Sequence, residues 1–177
     1  MLARDVRVDL PRHDIEWVGR RGVADRQEQH WLAVADIDHF KRVNDRFGHL
    51  YGDEVLLLLA RLMRSTFRAT DKLFRFGGEE FVMMLGRMSP TSAHETLERF
   101  RAAVEGFSFP QVGQVTISIG YTAVTATDTV AASFDRADEA LYYAKQNGRN
   151  LVQCHEILLA RGAIKPKLAH SYDVELF

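Results

Sequence analysis

A glycine pair between two apolar runs constrains this chain more than any other feature. Residues 74–85 read Phe-Arg-Phe-Gly-Gly-Glu-Glu-Phe-Val-Met-Met-Leu. Glycine tolerates the positive φ that a tight strand reversal needs, so the stretch predicts a hairpin turning at Gly77-Gly78. Glu79 and Glu80 follow the turn and sit at or near the tip of the paired strands. Strand side chains alternate faces, so only one of the two carboxylates can face a given site. A second acidic strand end lies upstream, where the apolar run from Trp31 to Ile37 leads into Asp36-Ile37-Asp38.

The rest of the chain reads as helices and strands around these two ends. Residues 1–30 are arginine-rich and weakly periodic, with a short helix expected near 12–28. Asp38 is placed to cap a helix carrying Phe40, Val43 and Phe47, which Gly48 ends. Gly52-Asp53 opens a longer helix through Val55, Leu58, Leu59, Leu62, Met63 and Phe67. Leu56 and Leu57 widen its apolar stripe, which predicts a well-buried helix. Thr70-Asp71 breaks it before the hairpin. Gly86 to Ser92 reads as a loop, and Ser92 with Glu95 has capping-box spacing for a helix to about Glu105. Gly106 to Gly113 reads as a loop and Val115 to Ala123 as a strand. Ala132 to Asn147 is a helix with Phe134, Ala137, Leu141 and Ala144 inward, and Leu151 to Cys154 a last short strand. Leu158, Leu159 and Ile164 could pack a final helix or hairpin. Helices between strands imply a sheet covered by helices, an α/β or α+β domain. Residues 31–155 form its body, with an N-terminal segment before and a tail at 156–177.

Composition narrows the functions. A chain of 177 residues with 46% hydrophobic and 27% charged residues can bury one sizeable core. The net charge of −1 lacks the basic footprint of a DNA-binding protein. Arginine outnumbers lysine 18 to 5, and guanidinium forks suit phosphate and guanine edges, although a genomic bias gives the same ratio. One cysteine, Cys154, excludes an intrachain disulfide and a cysteine metal cluster. No apolar run reaches membrane-spanning length and the N-terminus shows no secretory core, which makes a cytoplasmic setting the expectation.

The acids carry the first chemistry. Carboxylates gathered at Asp36 and Glu79 would repel each other unless a divalent cation held them, and their hard oxygens suit magnesium. Capping of the next helix is the competing role, favoured for Asp38 and not for Asp36. Asn44 and Asp53 could face one pocket if their helices form a hairpin. A carboxylate there matches the N1–H and 2-amino donors of guanine and an amide its O6, although Asp53 could merely cap its helix. Lys145 and Arg149 flank the end of the last long helix, where cations are favoured in any case. With Lys41 they could reach a triphosphate. Arg68 and Asp71, three apart, form a surface ion pair in the plain reading. No zinc, P-loop or nucleophile-elbow pattern survives at His155-Glu156, Gly77-Gly78 or Ser118.

Taken together, these blocks resemble one family, the GGDEF-type diguanylate cyclases. The signature stands as Gly77-Gly78-Glu79-Glu80-Phe81, in the variant with glutamate third. Around it, in family order, are Asp36-Ile37-Asp38-His39-Phe40-Lys41, Asn44-Asp45, Gly48-His49, Gly52-Asp53, Arg75-Phe76, Ser118-Ile119-Gly120, Ala137-Asp138, Ala140-Leu141-Tyr142 and Ala144-Lys145 through Gly148-Arg149-Asn150. The resemblance covers about Trp31 to Cys154. The usual opening Asp-x-Leu-Thr-Gly-Leu-x-Asn-Arg is reduced to Asp5 and Leu10, and these residues hold no evident sensor or coiled coil, which suggests a piece of a longer protein.

The resemblance implies a mostly antiparallel five-stranded sheet flanked by helices, like the nucleotidyl cyclase and polymerase palm. It implies two magnesium or manganese ions per site, held by Asp36, Glu79 and the Ile37 carbonyl, with Glu80 beside the attacking hydroxyl. Asn44 and Asp53 would read guanine; Lys145, Arg149, Lys41 and the backbone near Phe40 would contact phosphates. Arg68-Ala69-Thr70-Asp71 matches the R-x-x-D motif that binds the product and restrains turnover. The implied reaction joins two GTP into cyclic di-GMP with release of two pyrophosphates, and needs two domains facing each other as a homodimer. The alternative is a silent domain that binds cyclic di-GMP or GTP as a receptor.

Overall fold

A computed structural model of the chain describes residues 29–165. The helix expected near 12–28 lies outside the described residues. The elements run β1 (Gln29–Ile37), α1 (Phe40–Phe47), α2 (His49–Thr66), β2 (Lys72–Gly77), β3 (Glu80–Met88), α3 (Pro90–Glu105), β4 (Ser108–Phe109), β5 (Gly113–Gln114), β6 (Ile117–Val124), α4 (Val130–Gln146), β7 (Val152–Cys154) and α5 (His155–Ala160). The expected order of helices and strands is observed, with the short strands β4 and β5 and the final helix α5 added to it.

Five strands form one sheet in the order β2-β3-β1-β6-β7. Every pairing is antiparallel except β6 with β7. Alternation along β1 sorts its side chains into two layers. Trp31, Ala33, Ala35 and Ile37 join the larger core with Val55, Leu59 and Met63 of α2 and Leu97 and Phe100 of α3. Leu32 and Val34 face the other way, onto Ala137 and Leu141 of α4. Asp36 continues that second row, so the strand delivers its last carboxylate to the α4 side of the sheet. Val82 and Met84 of β3 belong to the same layer, which puts Glu80 there as well.

Two glycines let helices approach closely. A Cβ at Gly120 would lie 2.1 Å from both the Ala137 carbonyl oxygen and the Leu141 nitrogen, so α4 rests directly on the β6 backbone. A Cβ at Gly52 would lie 2.0 Å from Asn44 Oδ1, so the absence of a side chain there seats Asn44 between α1 and α2.

Several local expectations are corrected. α2 starts at His49 after Gly48, so Asp53 lies inside the helix and does not cap it. The helix is not buried on most sides: Leu57 is 54% and Leu50 80% exposed. β3 runs on to Met88, whose carbonyl accepts the Trp31 indole N–H at 3.2 Å, and shortens the expected loop. The cap of α3 is Ser89, whose hydroxyl accepts from Ser92 N, because Pro90 with its fixed φ suits the first helical position. The loop between Gly106 and Gly113 holds a two-stranded ribbon, β4 with β5. The tail begins as helix α5, anchored by buried Leu158.

Candidate active site

The hairpin turns where the glycines predict. Gly78 takes φ 47, and the Arg75 guanidinium donates twice to its carbonyl, at 3.0 and 2.7 Å. The turn leaves Glu79 half-buried beside the end of β1, where its carbonyl oxygen accepts from Ile37 N at 3.4 Å. The β1–β3 register sets Asp36 opposite Glu80. The backbone thus brings Asp36, Glu79 and Glu80 to one end of the central strands.

Lys145, on the last turn of α4, reaches this end and places Nζ 2.9 Å from Asp36 Oδ2. Burial pushes the Asp36 carboxyl above its ordinary value; Lys145 opposes this, Asp38 adds to it and Arg149 opposes it further. Glu79 is also raised, by burial, then by the charge of Asp36 against the pull of Lys145, with Glu80 adding a smaller push. Burial and mutual repulsion thus disfavour the ionised carboxylates here, and the Lys145 ammonium alone does not offset this. Carboxylate oxygens in such surroundings fit a hard divalent cation, and Asp36 and Glu79 are carboxylates that could hold one. Among the described residues no group of three or more His, Cys, Asp or Glu side chains gathers as a ready metal cage. Two carboxylates suit a hard divalent cation whose remaining positions go to water or other oxygen ligands.

Asp38 does something other than capping. The N-cap of α1 is His39, left-handed at φ 58, with no side-chain cap. Asp38 is buried, and its carboxylate accepts from Thr116 Oγ1 at 2.7 Å, Ser118 Oγ at 2.7 Å and the backbone nitrogen of Asn150 at 3.0 Å. The β1–β6 register explains this, because Asp36 pairs with Ser118 and the chain beyond it meets Thr116. Asp38 thereby ties β1, β6 and the turn after α4 into one unit. Sequence reasoning missed this tie; the two-residue spacing of the hydroxyls at 116 and 118 was its available trace.

The other predicted residues fall in two further places. Asn44 is half-buried against Gly52, and Asp53, the next residue of α2, is exposed. Lys41 is exposed on the first turn of α1, while the Phe40 ring is buried. Arg68 and Asp71 lie at the opposite end of β2 from the Gly77-Gly78 turn. The surface ion pair expected there is absent among the described residues. Asp71 is buried and accepts from the backbone nitrogens of Arg68 and Gly86, each at 2.9 Å, which leaves the exposed Arg68 guanidinium free to meet another partner. Both residues line an open depression of about 350 Å³, with Arg64, Phe67, Lys72 and Phe74 along its walls.

Residues 17–151 match the family model described as "Diguanylate cyclase, GGDEF domain", and the chain belongs to that family. It is 47% identical over 125 residues to the diguanylate cyclase DgcP of Pseudomonas aeruginosa, covering 69% of this chain and 19% of that protein. It is 41% identical over 121 residues to the diguanylate cyclase DgcM of Escherichia coli, covering 68% and 30%. The chain thus spans less than a third of these relatives' lengths. Among solved structures it is similar to the GGDEF domain of DgcB from Caulobacter crescentus in complex with c-di-GMP, with a TM-score of 0.68, 34% identity and coverage of 73% and 79%. It is also similar to the active GGEEF domain of a diguanylate cyclase from Vibrio cholerae, with a TM-score of 0.67, 36% identity and coverage of 73% and 84%. These neighbours share the palm-like cyclase fold, a mixed five-stranded sheet flanked by helices. Among the described residues no helix is long and apolar enough to cross a membrane.

Proposed function

We propose that this domain condenses two GTP into cyclic di-GMP. The observation that carries the reading is the convergence of Asp36, Glu79 and Glu80 with Lys145 at one sheet end, in a chain of this family. Each 3′-hydroxyl attacks the α-phosphate of the other GTP, one P–O bond forms as another breaks, and pyrophosphate leaves. Two such events close the ring.

Asp36 and Glu79, with the Ile37 carbonyl, would hold magnesium or manganese, two ions per site. When bound, these supply charge neutralisation at the phosphates and activation of the attacking oxygen. Lys145 and Arg149 hold the triphosphate from the α4 side, and Lys41 and the backbone near Phe40 from the start of α1. Glu80, on the same sheet face as Asp36, lies toward the attacking hydroxyl. Asp53 accepts from guanine N1–H and the 2-amino group, and Asn44 donates to O6. Adenine would leave Asp53 without these donors. One domain positions one GTP, so catalysis needs a second copy across a two-fold axis. Residues 31–155 form the catalytic unit, and a GTP-consuming domain belongs in the cytoplasm. The Arg68–Asp71 depression receives the product and restrains turnover.

The test is liquid chromatography of products after incubation with GTP and magnesium over a range of protein concentrations. Cyclic di-GMP should form, with a rate per chain that rises as chains pair. GTP binding without product at concentrations that force pairing would replace this reading with a silent nucleotide receptor.

A further inference from the structure

The turn after α4 is strained. Arg149 and Asn150 are consecutive non-glycine residues with positive φ, 62 and 49, following Gly148 at 117. Left-handed backbone is unfavourable for L side chains and persists where the surroundings over-determine it. Here they do. Arg149 N donates to the Ala144 carbonyl at 3.0 Å. Asn150 N donates to Asp38 Oδ2 at 3.0 Å. The Asn150 side chain is held at both ends: Nδ2 donates to Glu105 Oε1 at 2.8 Å, and Oδ1 accepts from Arg101 Nη1 at 2.8 Å. Arg101 also grips Glu105 Oε2 and Glu98 Oε2, each at 2.7 Å.

Asparagine suits this position on two counts. It tolerates left-handed backbone, and its amide both donates to a carboxylate and accepts from a guanidinium. Aspartate would set a second carboxylate against Glu105, and glycine would keep the backbone but lose both side-chain bonds. The strained turn is the segment that carries Arg149 and follows Lys145, the cation on Asp36.

We infer that Asn150 is a positioning residue, which with Asp38 just after β1 and the Arg101–Glu105 pair on α3 holds the α4–β7 turn so that Arg149 and Lys145 meet a bound triphosphate. The inference rests on the proposed function, in which those two side chains contact phosphate. It makes the C-terminal end of α3 part of the apparatus that sets nucleotide affinity, although neither Arg101 nor Glu105 touches nucleotide.

The experiment measures binding of a non-hydrolysable GTP analogue with magnesium by calorimetry, alongside thermal unfolding. Parent, Asn150→Gly, Glu105→Ala, Glu105→Gln and Glu95→Ala are compared. Glu95 is exposed on the same helix, with no bond to the brace, and serves as control. The dissociation constant should rise about tenfold in Asn150→Gly and about fivefold in Glu105→Ala, as the fraction of chains with the turn in place falls. Glu105→Gln, which keeps an acceptor for Asn150 Nδ2, should recover most of the affinity, and Glu95→Ala should match the parent. The preference for the guanine over the adenine triphosphate should stay constant throughout, because the base contacts lie on α1 and α2. Unchanged analogue affinity in Asn150→Gly and Glu105→Ala, whatever their melting temperatures, overturns the inference and leaves the network a purely structural one. Should Asn150→Gly not fold, the Glu105 pair decides alone. A parent that fails to bind the analogue overturns the proposed function, and the inference with it, a result distinct from binding that ignores the brace.

Discussion

Gly120→Ala adds one methyl group where the structure has no room for it. The new Cβ would stand 2.1 Å from the Ala137 carbonyl oxygen, 2.1 Å from the Leu141 nitrogen and 2.7 Å from the Ala140 carbonyl carbon. All three are backbone atoms of α4, so no side chain can rotate away. Ordinary contact begins near 3.4 Å, so α4 must retreat from β6 by more than about 1 Å. Ala137 and Leu141 would then lose their fit against Leu32 and Val34. Overpacking costs about 1–3 kcal/mol, and rigid backbone obstacles put this site at about 3 kcal/mol. For a domain of this size that lowers Tm by about 6–12 °C. Because α4 carries Lys145, whose Nζ lies 2.9 Å from Asp36, GTP affinity should fall in the same variant. Thermal unfolding followed by circular dichroism, with calorimetry of a GTP analogue, checks both. A melting temperature equal to the parent's would refute the claim that α4 rests on bare backbone at Gly120.

Three further outcomes follow from named contacts. Asp71→Ala leaves the Arg68 and Gly86 N–H groups without their acceptor, which should cost about 2 kcal/mol in a denaturant titration and abolish calorimetric binding of cyclic di-GMP; full retention of both would contradict the assignment of that depression. Asp53→Asn should weaken GTP binding by about tenfold or more, since the amide presents a donor where guanine needs an acceptor; equal affinity would remove Asp53 from the base site. Burial raises the Asp128 carboxyl, but the Arg136 fork and the Thr125 backbone outweigh it and hold the group below its ordinary value of 3.8. A group depressed on folding stabilises above its unfolded value and loses that contribution as pH falls through the folded one. The stability gap between parent and Asp128→Asn should therefore be constant from neutral pH to about 4 and shrink below it. A gap that widens in acid would show the sign to be wrong.

Much of the site was legible because strand ends and turns announce themselves locally. The glycine pair marks the hairpin, and two-residue alternation carries Asp36 to the face of Leu32 and Val34. The order of helices and strands came from apolar periodicity, which burial enforces. Less legible were features set by partners distant in sequence. Asp38 looked like a helix cap because its spacing suited one, yet three donors from residues 116, 118 and 150 claim its carboxylate. Arg68 and Asp71 looked like an ion pair, yet burial turned Asp71 toward backbone N–H groups on both sides. Leu57 looked buried because a run of four leucines hides which one faces out. The packing roles of Gly52 and Gly120 had no local signature; they are apparent only once a side chain or a helix backbone lies against them.

The central claim is that Asp36 and Glu79 hold the metal that drives GTP condensation. Its most direct test compares the parent chain with Glu79→Ala, each mixed with GTP and magnesium at concentrations that favour pairing, and reads product by liquid chromatography with mass detection. The account predicts cyclic di-GMP from the parent, none from the variant, and loss of the parent's product when magnesium is chelated. Equal product from both chains would contradict it.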